Sequence, residues 1–388
     1  MQVLHLFDRY LNSTMNWAFQ LLQHCPDIEH LIAAPIFVEN EFLRGAFEFW
    51  PSPYQQTLPK NEWEISGVQQ SMARLGMRSG HFHRQLIRKI RRKPPQLLHA
   101  HFASMGWQAL GPAQKTGLPL VVSFYGYDYE QLPFRKPVYK KRYRQLFEKA
   151  TAFVVEGPHG AGILQGMGCP DEKIHIIPLG VDVQKISFWP RKKASGQLKM
   201  LQAATFTQKK GHLYAIQAVE KALKDCPGLH LTLLGEAQDK GLHQELKEYV
   251  RRHKLSANIV FEDFVPTAKF QEFLLQFDLF IHPSCYAEDH DCEGGAPIVL
   301  LDAQASGLPV ISTTHCDIPA EVIHLKTGWL AEEKDVEELA AGIRNFFQMP
   351  AGEFEAYSRA ARAHVVEHFD IETSGRNLRN LYTQILRS

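Results

Sequence analysis

Three groups of side chains in this sequence have the types and the spacing to do chemistry. In "CEGGAPIVLLDAQASG" Glu293 stands ahead of two glycines and an apolar run, with Asp302 nine residues on. A carboxylate accepts hydrogen bonds from hydroxyl groups. Glycines before a helix bare backbone amides at the positive end of its dipole, where a phosphate or another electron-rich oxygen binds. In "QKKGH" Lys209 and Lys210 precede Gly211, two point charges suited to an anion. In "LLHAHF" the alternation of strand side chains puts His99 and His101 on one face, and "SFYGYD" adds Tyr125 and Asp128 after the following apolar run. Each group also has an ordinary reading: a helix cap for Glu-Gly-Gly, a solvated helix start for Lys-Lys-Gly, a core pair for the histidines. "DHD" at 289–291 looks like a metal-binding pair of carboxylates, but its surroundings are wrong for one, and it reads as a solvated acidic loop. No metal is expected.

These residues need elements to position them. "QVLHLF", "PQLLHAHF", "LPLVVSFYG", "ATAFVVEG" and "IHIIPLG" are short apolar runs separated by amphipathic stretches, the βαβ rhythm of a parallel sheet covered by helices. A polar passage with proline and glycine at about 185–198 reads as a linker. The rhythm then resumes with "KMLQAATF", "LHLTLLG", "ANIVFEDF", "LFIHPS" and "LPVISTT". The fold class is α/β, two doubly wound domains in tandem facing a cleft, with ligands at the carboxyl ends of their strands. A helix begun by Pro297 follows the Glu293 loop, which sets Asp302 more than two turns beyond Glu293.

A chain of 388 residues, 45% hydrophobic and 22% charged, fits two globular domains better than one core. Residues 1–186 carry 21 Lys+Arg against 15 Asp+Glu, and residues 187–388 carry 22 against 27. A basic half beside an acidic half suggests that the first meets an anionic surface or ligand. Six scattered cysteines with no CxxC pair and no secretory leader indicate neither a zinc site nor a disulfide framework, and fit the cytoplasm. No run approaches the roughly 18 apolar residues of a spanning helix.

The order "LLHAHFASMG", "PLVVSFYGYD", "KIHIIPLGVD", "QKKGHLYAIQA", "LTLLGEA", "NIVFEDFVP", "HPS", an acidic loop, "EGGAPIVLLDAQASGLPVIST" and "IPAEVIHLKTGWL" resembles the retaining, glycogen-synthase-like glycosyltransferases of family 4 over nearly the whole chain. The resemblance implies a GT-B fold. It gives Rossmann-like domains at 1–186 and 187–369, with 370–388 packing back on the first. It implies metal-independent sugar transfer from a nucleotide-diphosphate sugar, UDP preferred, with no cofactor. By the same resemblance Glu293 holds donor-sugar hydroxyls beside the reacting carbon and Asp302 the ribose hydroxyls. Gly294, Gly295, Ala296 and Pro297 line the sugar and diphosphate pocket, Lys210 neutralises the diphosphate, and His101 approaches the sugar. The chain departs from the family pattern in four ways. The acids are one residue further apart and the second is Asp. Thr205 or Ala204 stands where a second cationic clamp, an Arg, is usual, with Lys209 as its substitute. Tyr125 replaces a histidine, and with Asp128 would orient the acceptor or phosphate. Asn12, Ser13 and Thr14 replace paired glycines after the first strand.

Two basic tracts, 81–95 and 134–149, mark the first domain. In the first, Phe82, Leu86 and Ile90 recur at helical spacing with Arg84, Arg88 and Arg91 turned elsewhere. It fits either an ordinary surface helix or a helix lying on anionic lipid. The expected partners are a nucleotide-sugar donor and a glycan or lipid-linked acceptor, at the inner face of a membrane, in cell-surface polysaccharide or glycolipid synthesis. Nucleic acid is not expected, because the aromatics form no stacking platform. The alternatives are a degenerate nucleotide-sugar-binding regulatory subunit and a GT-B epimerase.

Overall fold

The computed structural model describes residues 1–11, 15–38, 47–50, 56–58 and 81–387. It divides into two compact units, Met1–Gly180 with Ile371–Ser388, and Val181–Asp370.

In the first unit, strands β1 Gln2–Leu6, β2 Glu29–Ala33, β4 Glu48–Trp50, β6 Leu97–His101, β7 Leu120–Ser123, β8 Ala152–Val155 and β9 Ile174–Ile176 form one sheet in the order β4-β2-β1-β6-β7-β8-β9. Every pairing in it is parallel. β7 "LVVS" and β8 "AFVV" are buried at every residue, as strands covered on both faces must be. β3 Ile36–Val38 and β5 Gln56–Leu58 pair apart from this sheet. The helix His81–Arg92 turns Leu86 and Ile90 into the core and leaves Arg84, Arg88 and Arg91 exposed, so those apolar side chains are already used by the unit itself. The Phe82 side chain, like Asn12, Ser13 and Thr14, lies outside the described residues. The final helix, Ile371–Ile385, packs on the helix Asn16–Gln23. The backbones approach closely at Gly375, where an added Cβ would strike the His24 carbonyl.

In the second unit, β10 Leu198–Ala203, β11 Leu229–Leu234, β12 Ile259–Glu262, β13 Leu279–His282, β14 Val310–Thr313 and β15 Gly328–Ala331 form a parallel sheet in the order β12-β11-β10-β13-β14-β15. The passage at about 185–198 that reads as a linker is largely exposed but anchored at points: Ile186, with Val181 and Val183 just before the passage, is buried against Leu301, Ala305, Val365 and Phe369, and Arg191 is buried with its N–H donating to Ser358 Oγ (2.9 Å). Arg362 also donates to the carbonyls of Val183, Ile186 and Ala305.

Strand order reverses between β1 and β6 in one unit and between β10 and β13 in the other. Ligands of such sheets bind outside the carboxyl ends at that reversal.

Candidate functional site

The loops that leave β10 and β13 meet at the second unit's reversal. Gly211 permits the meeting: it takes φ 67°, and an added Cβ would run into the Pro283 carbonyl oxygen. Only glycine turns the chain at that point from the short turn Gln208–Lys210 into the helix His212–Ala222. The Cys285 N–H donates to the Lys209 carbonyl (2.9 Å), and Gln202 Nε2 donates to the Lys210 carbonyl (2.7 Å). Thr205 sits half-buried at the start of the first loop.

Lys210 Nζ meets Glu293 Oε2 at 2.7 Å, with the two side chains only 16% and 6% exposed. Ser284 Oγ donates to the other carboxylate oxygen (2.9 Å), and His282 Nε2 stands 3.7 Å from it. Burial alone would raise the Glu293 pKa, but Lys210, His282 and Lys209 outweigh it and hold the carboxyl well below its usual range. Burial pulls the Lys210 ammonium down while Glu293 pushes it up. Beside it, Lys209 Nζ donates to Asp291 Oδ1 (3.1 Å) and to the Cys292 carbonyl (2.9 Å). The "DHD" loop is therefore not simply solvated, since Asp291 is half of an ion pair.

The Glu293 N–H donates to His315 Nε2 (3.1 Å), and His315 Nδ1 lies 2.6 Å from Glu333 Oε1. A carboxylate only accepts, so the proton of neutral His315 is on Nδ1 and its lone pair on Nε2. Gly294 takes φ 82°, and the Gly295 carbonyl accepts from the Asp317 N–H (3.1 Å). Pro297 caps the helix Ile298–Ser306 instead of starting it. Residues 294–297 stay outside the helix, so Asp302 lies only about one turn into it. Asp302 is half-buried with no hydrogen bond or ion pair among the described residues, and burial pushes its carboxyl up to about 7. An ammonium carries three donor hydrogens. Lys210 spends one on Glu293, its ammonium's one hydrogen-bond partner among the described residues.

The first unit's reversal is lined with histidines. His5 of β1, His30 of β2, and His99 and His101 of β6 share one face by strand register. His30 Nδ1 lies 2.9 Å from His5 Nε2, His5 Nδ1 lies 3.1 Å from His101 Nε2, and His101 Nδ1 lies 3.2 Å from the Tyr125 hydroxyl. His99 bridges Ser123 Oγ (2.8 Å) and the hydroxyl of Tyr382 from the final helix. Burial, reinforced by their mutual repulsion, holds His5 and His101 well below the ordinary imidazole value and brings His99 to about 3; burial takes His30 to about 4. Both ring nitrogens of His101 are spent within this unit, so a sugar hydroxyl reaches it only by displacing His5 or Tyr125. His5, His99 and His101 bring one ring nitrogen each within 4.8 Å of one another. That set fits a metal ion only by giving up bonds the rings already make. Asp128 is buried in a π turn, Tyr127–Gln131, where its Oδ2 accepts from the Tyr125 N–H (3.2 Å) and burial pushes it up to about 8.

Comparison with known proteins decides the family. A model described as Glycosyltransferase Family 4 matches residues 53–185, and one described as Glycosyl transferases group 1 matches residues 183–364. The chain belongs to this glycosyltransferase family. It is similar to the amylovoran biosynthesis glycosyltransferase AmsK of Erwinia amylovora, 32% identical over 248 residues, 64% of this chain and 60% of that protein. It is likewise 32% identical over 243 residues, 63% of this chain and 59% of that one, to WcaL of Escherichia coli, named for colanic acid biosynthesis. The chain thus spans about three fifths of the length of these curated relatives. Among solved structures, a Rickettsia africae glycosyltransferase superposes with TM-score 0.78 at 16% identity, covering 100% of this chain and 99% of that one. Anabaena HepE in complex with UDP and glucose gives 0.73 at 15%, covering 99% and 100%. Identity that low establishes the fold, which is GT-B. The residues His5, Tyr382, His315 and Glu333 join these two clusters without any motif in the sequence pointing to them. "QVLHLF" carries a histidine in a strand as plainly as "LLHAHF", and that was the available signal.

Proposed function

We propose that the chain transfers a sugar, with retained anomeric configuration and without a metal, from a nucleotide-diphosphate sugar to a glycan or lipid-linked acceptor. The observation that carries this reading is the buried Lys210–Glu293 pair at the strand reversal, ahead of the Ile298 helix. Glu293, kept ionised by its neighbours, accepts donor-sugar hydroxyls beside the reacting carbon, with Gly294, Gly295, Ala296 and Pro297 lining the pocket. Lys210 and Lys209 face the diphosphate, Lys209 standing in for the absent arginine near Thr205, and Asp302 takes the ribose hydroxyls. Transfer follows a front-face path: the departing phosphate oxygen takes the acceptor proton while the two ammonium groups stabilise its charge. Tyr125, braced by His101 and Asp128, orients the acceptor.

UDP as the preferred nucleotide is supported by the complex of HepE with UDP and glucose. Cell-surface polysaccharide synthesis is supported by the names of AmsK and WcaL. A lipid-linked acceptor is supported by the 134–149 tract, where Phe134 (55%) and Val138 (51%) are exposed among Arg135, Lys136, Lys140, Lys141 and Arg144. No helix among the described residues is long and apolar enough to cross a membrane, so contact with lipid is peripheral in this reading.

The test incubates the purified chain with UDP-, GDP-, ADP- and TDP-sugars, with and without candidate acceptors, scoring thermal shift and nucleotide release together. Binding with release that is lost in Glu293→Ala is the expected result; absence of binding to every donor overturns the site. The engagement of both His101 nitrogens favours a second reading, a donor-binding subunit that regulates a partner. Its signature is binding with the sugar left intact after all acceptors have been tried.

A further inference from the structure

Glu293 has a second basic neighbour, which its ion pair with Lys210 leaves idle. His282 ends β13 at the carboxyl edge of the sheet, fully buried, its ring stacked 6.1 Å from that of Phe280 on the same face of the strand. The Ser312 hydroxyl of the adjacent strand β14 donates to its carbonyl (2.6 Å) and pins the backbone. The ring is held by no hydrogen bond: neither nitrogen has a partner among the described residues. Buried polar groups are nearly always paired, so an imidazole idle at both ends calls for a reason. Glu293 Oε1 stands 3.7 Å from His282 Nε2, about half an ångström beyond hydrogen-bond range. That oxygen accepts from Ser284 Oγ (2.9 Å), and a carboxylate oxygen has a second lone pair to offer.

The charged and titratable groups facing His282 come from three neighbouring segments. Glu293 approaches from the loop after β13, Lys210 and His212 from the turn and helix after β10, and His315 from the loop after β14. Burial first, then Lys210 and His315, hold the imidazole below its ordinary value and so uncharged, while Glu293 works in the opposite sense. His212 is itself kept neutral, at about 3, chiefly by burial. An anion bound to Lys210 cancels the cation that opposes His282 and leaves the Glu293 carboxylate to favour its charged form. The ion pair also has to open for Glu293 to serve a sugar through Oε2, since Lys210 Nζ occupies that oxygen at 2.7 Å.

We propose that His282 is a positioning residue that replaces Lys210 at Glu293 when the donor binds. As the Lys210 ammonium turns to the diphosphate, the His282 ring takes one proton from solvent and donates from Nε2 to Glu293 Oε1. Glu293 keeps a cationic partner throughout and stays ionised. Ser284 and His282 then fix one of its oxygens, and the other, Oε2, opens to the donor-sugar hydroxyls. The exchange rests on the donor-site reading above.

The experiment is calorimetry of UDP-glucose binding to the full chain, repeated at several pH values in buffers of different ionisation enthalpy, which counts the protons taken up. The diphosphate of a nucleotide-sugar does not titrate near neutrality, so a proton gained belongs to the protein. The expected result is net uptake on binding, with donor affinity falling by up to about tenfold per pH unit as pH rises through the range of uptake. His282→Gln, which cannot take the proton, should bind more weakly with no uptake and with a flat pH dependence over that range. Binding without uptake in the parent chain, or uptake that persists in His282→Gln, overturns the exchange and leaves the donor site standing. If the variant does not fold, NMR of the parent chain with nitrogen-labelled histidine rings decides: a His282 ring that becomes doubly protonated with donor supports the exchange, and one that stays neutral overturns it. No binding of UDP-glucose or of the GDP-, ADP- and TDP-sugars overturns the donor-site reading and the exchange with it.

Discussion

Lys210 and Glu293 hold each other inside the second unit, and removing either strands the other. Leaving a buried charge without its partner costs about 3–5 kcal/mol. Lys210→Met and Glu293→Gln should therefore each lower the urea midpoint sharply, while the double variant recovers much of the loss in a double-mutant cycle. Their effects on chemistry should separate: Glu293→Ala abolishes transfer while largely sparing nucleotide affinity, and Lys210→Ala weakens both, as calorimetry with UDP and a turnover assay will report. Each of these residues was legible by type and local motif. The bond between them was not, because 83 residues separate them and only the adjacency of β10 and β13 closes the gap. The same holds for His101, whose neighbour His5 is 96 residues away on an adjoining strand.

At the scale of elements, the apolar runs gave the strands away: parallel strands covered on both faces have no polar side to disguise them. The π turn Tyr127–Gln131 left no such trace, since it is organised by a buried Asp128 reaching back to one backbone amide. The Ile298 helix starts one residue later than proline's preference for the first turn suggests, because Pro297 keeps an extended ψ of 119°. The final helix is the element with the longest reach. Its Tyr382 hydroxyl meets His99, and its Gly375 lets it lie against His24. Deleting 371–388 should destabilise the first unit, seen as rapid limited proteolysis within 1–180, while Tyr382→Phe leaves one buried polar atom of His99 without its partner, at a cost of about 1–3 kcal/mol.

For the molecule as a whole, buried ionisable groups set opposing slopes of stability with pH. His5, His30, His99 and His101 titrate lower when folded than the ordinary 6.5, so below that pH the unfolded chain binds more protons and stability falls on acidification. Asp128 and Asp302 are raised to about 8 and about 7, so the folded chain holds extra protons from about pH 4 upward and stability falls as those carboxyls ionise. The histidine effect is lost below its window and the carboxyl effect above its own, which places their combined optimum near pH 6.5. Urea titrations at pH 5, 6.5 and 8 should show it; His30→Gln should flatten the acid limb and Asp128→Asn the alkaline one. Charge at the surface makes a separate prediction: sedimentation with phosphatidylserine vesicles should fall steeply with salt and with Lys140→Glu/Lys141→Glu, since exposed charges are screened within about 10 Å at 0.1 M.

The return of Ile371–Ile385 to the first unit also fixes an order of events in the cell. A ribosome delivers residues 1–180 first, yet the helix that supplies Tyr382 to His99 emerges only after the whole of 181–370 has been made. At roughly 5–20 residues per second that interval is on the order of 10–40 s. During it the amino-terminal sheet waits with its histidine face uncovered by that helix, while the later sheet has every strand it needs to close. The half of the protein that is translated first is therefore the half that finishes folding last.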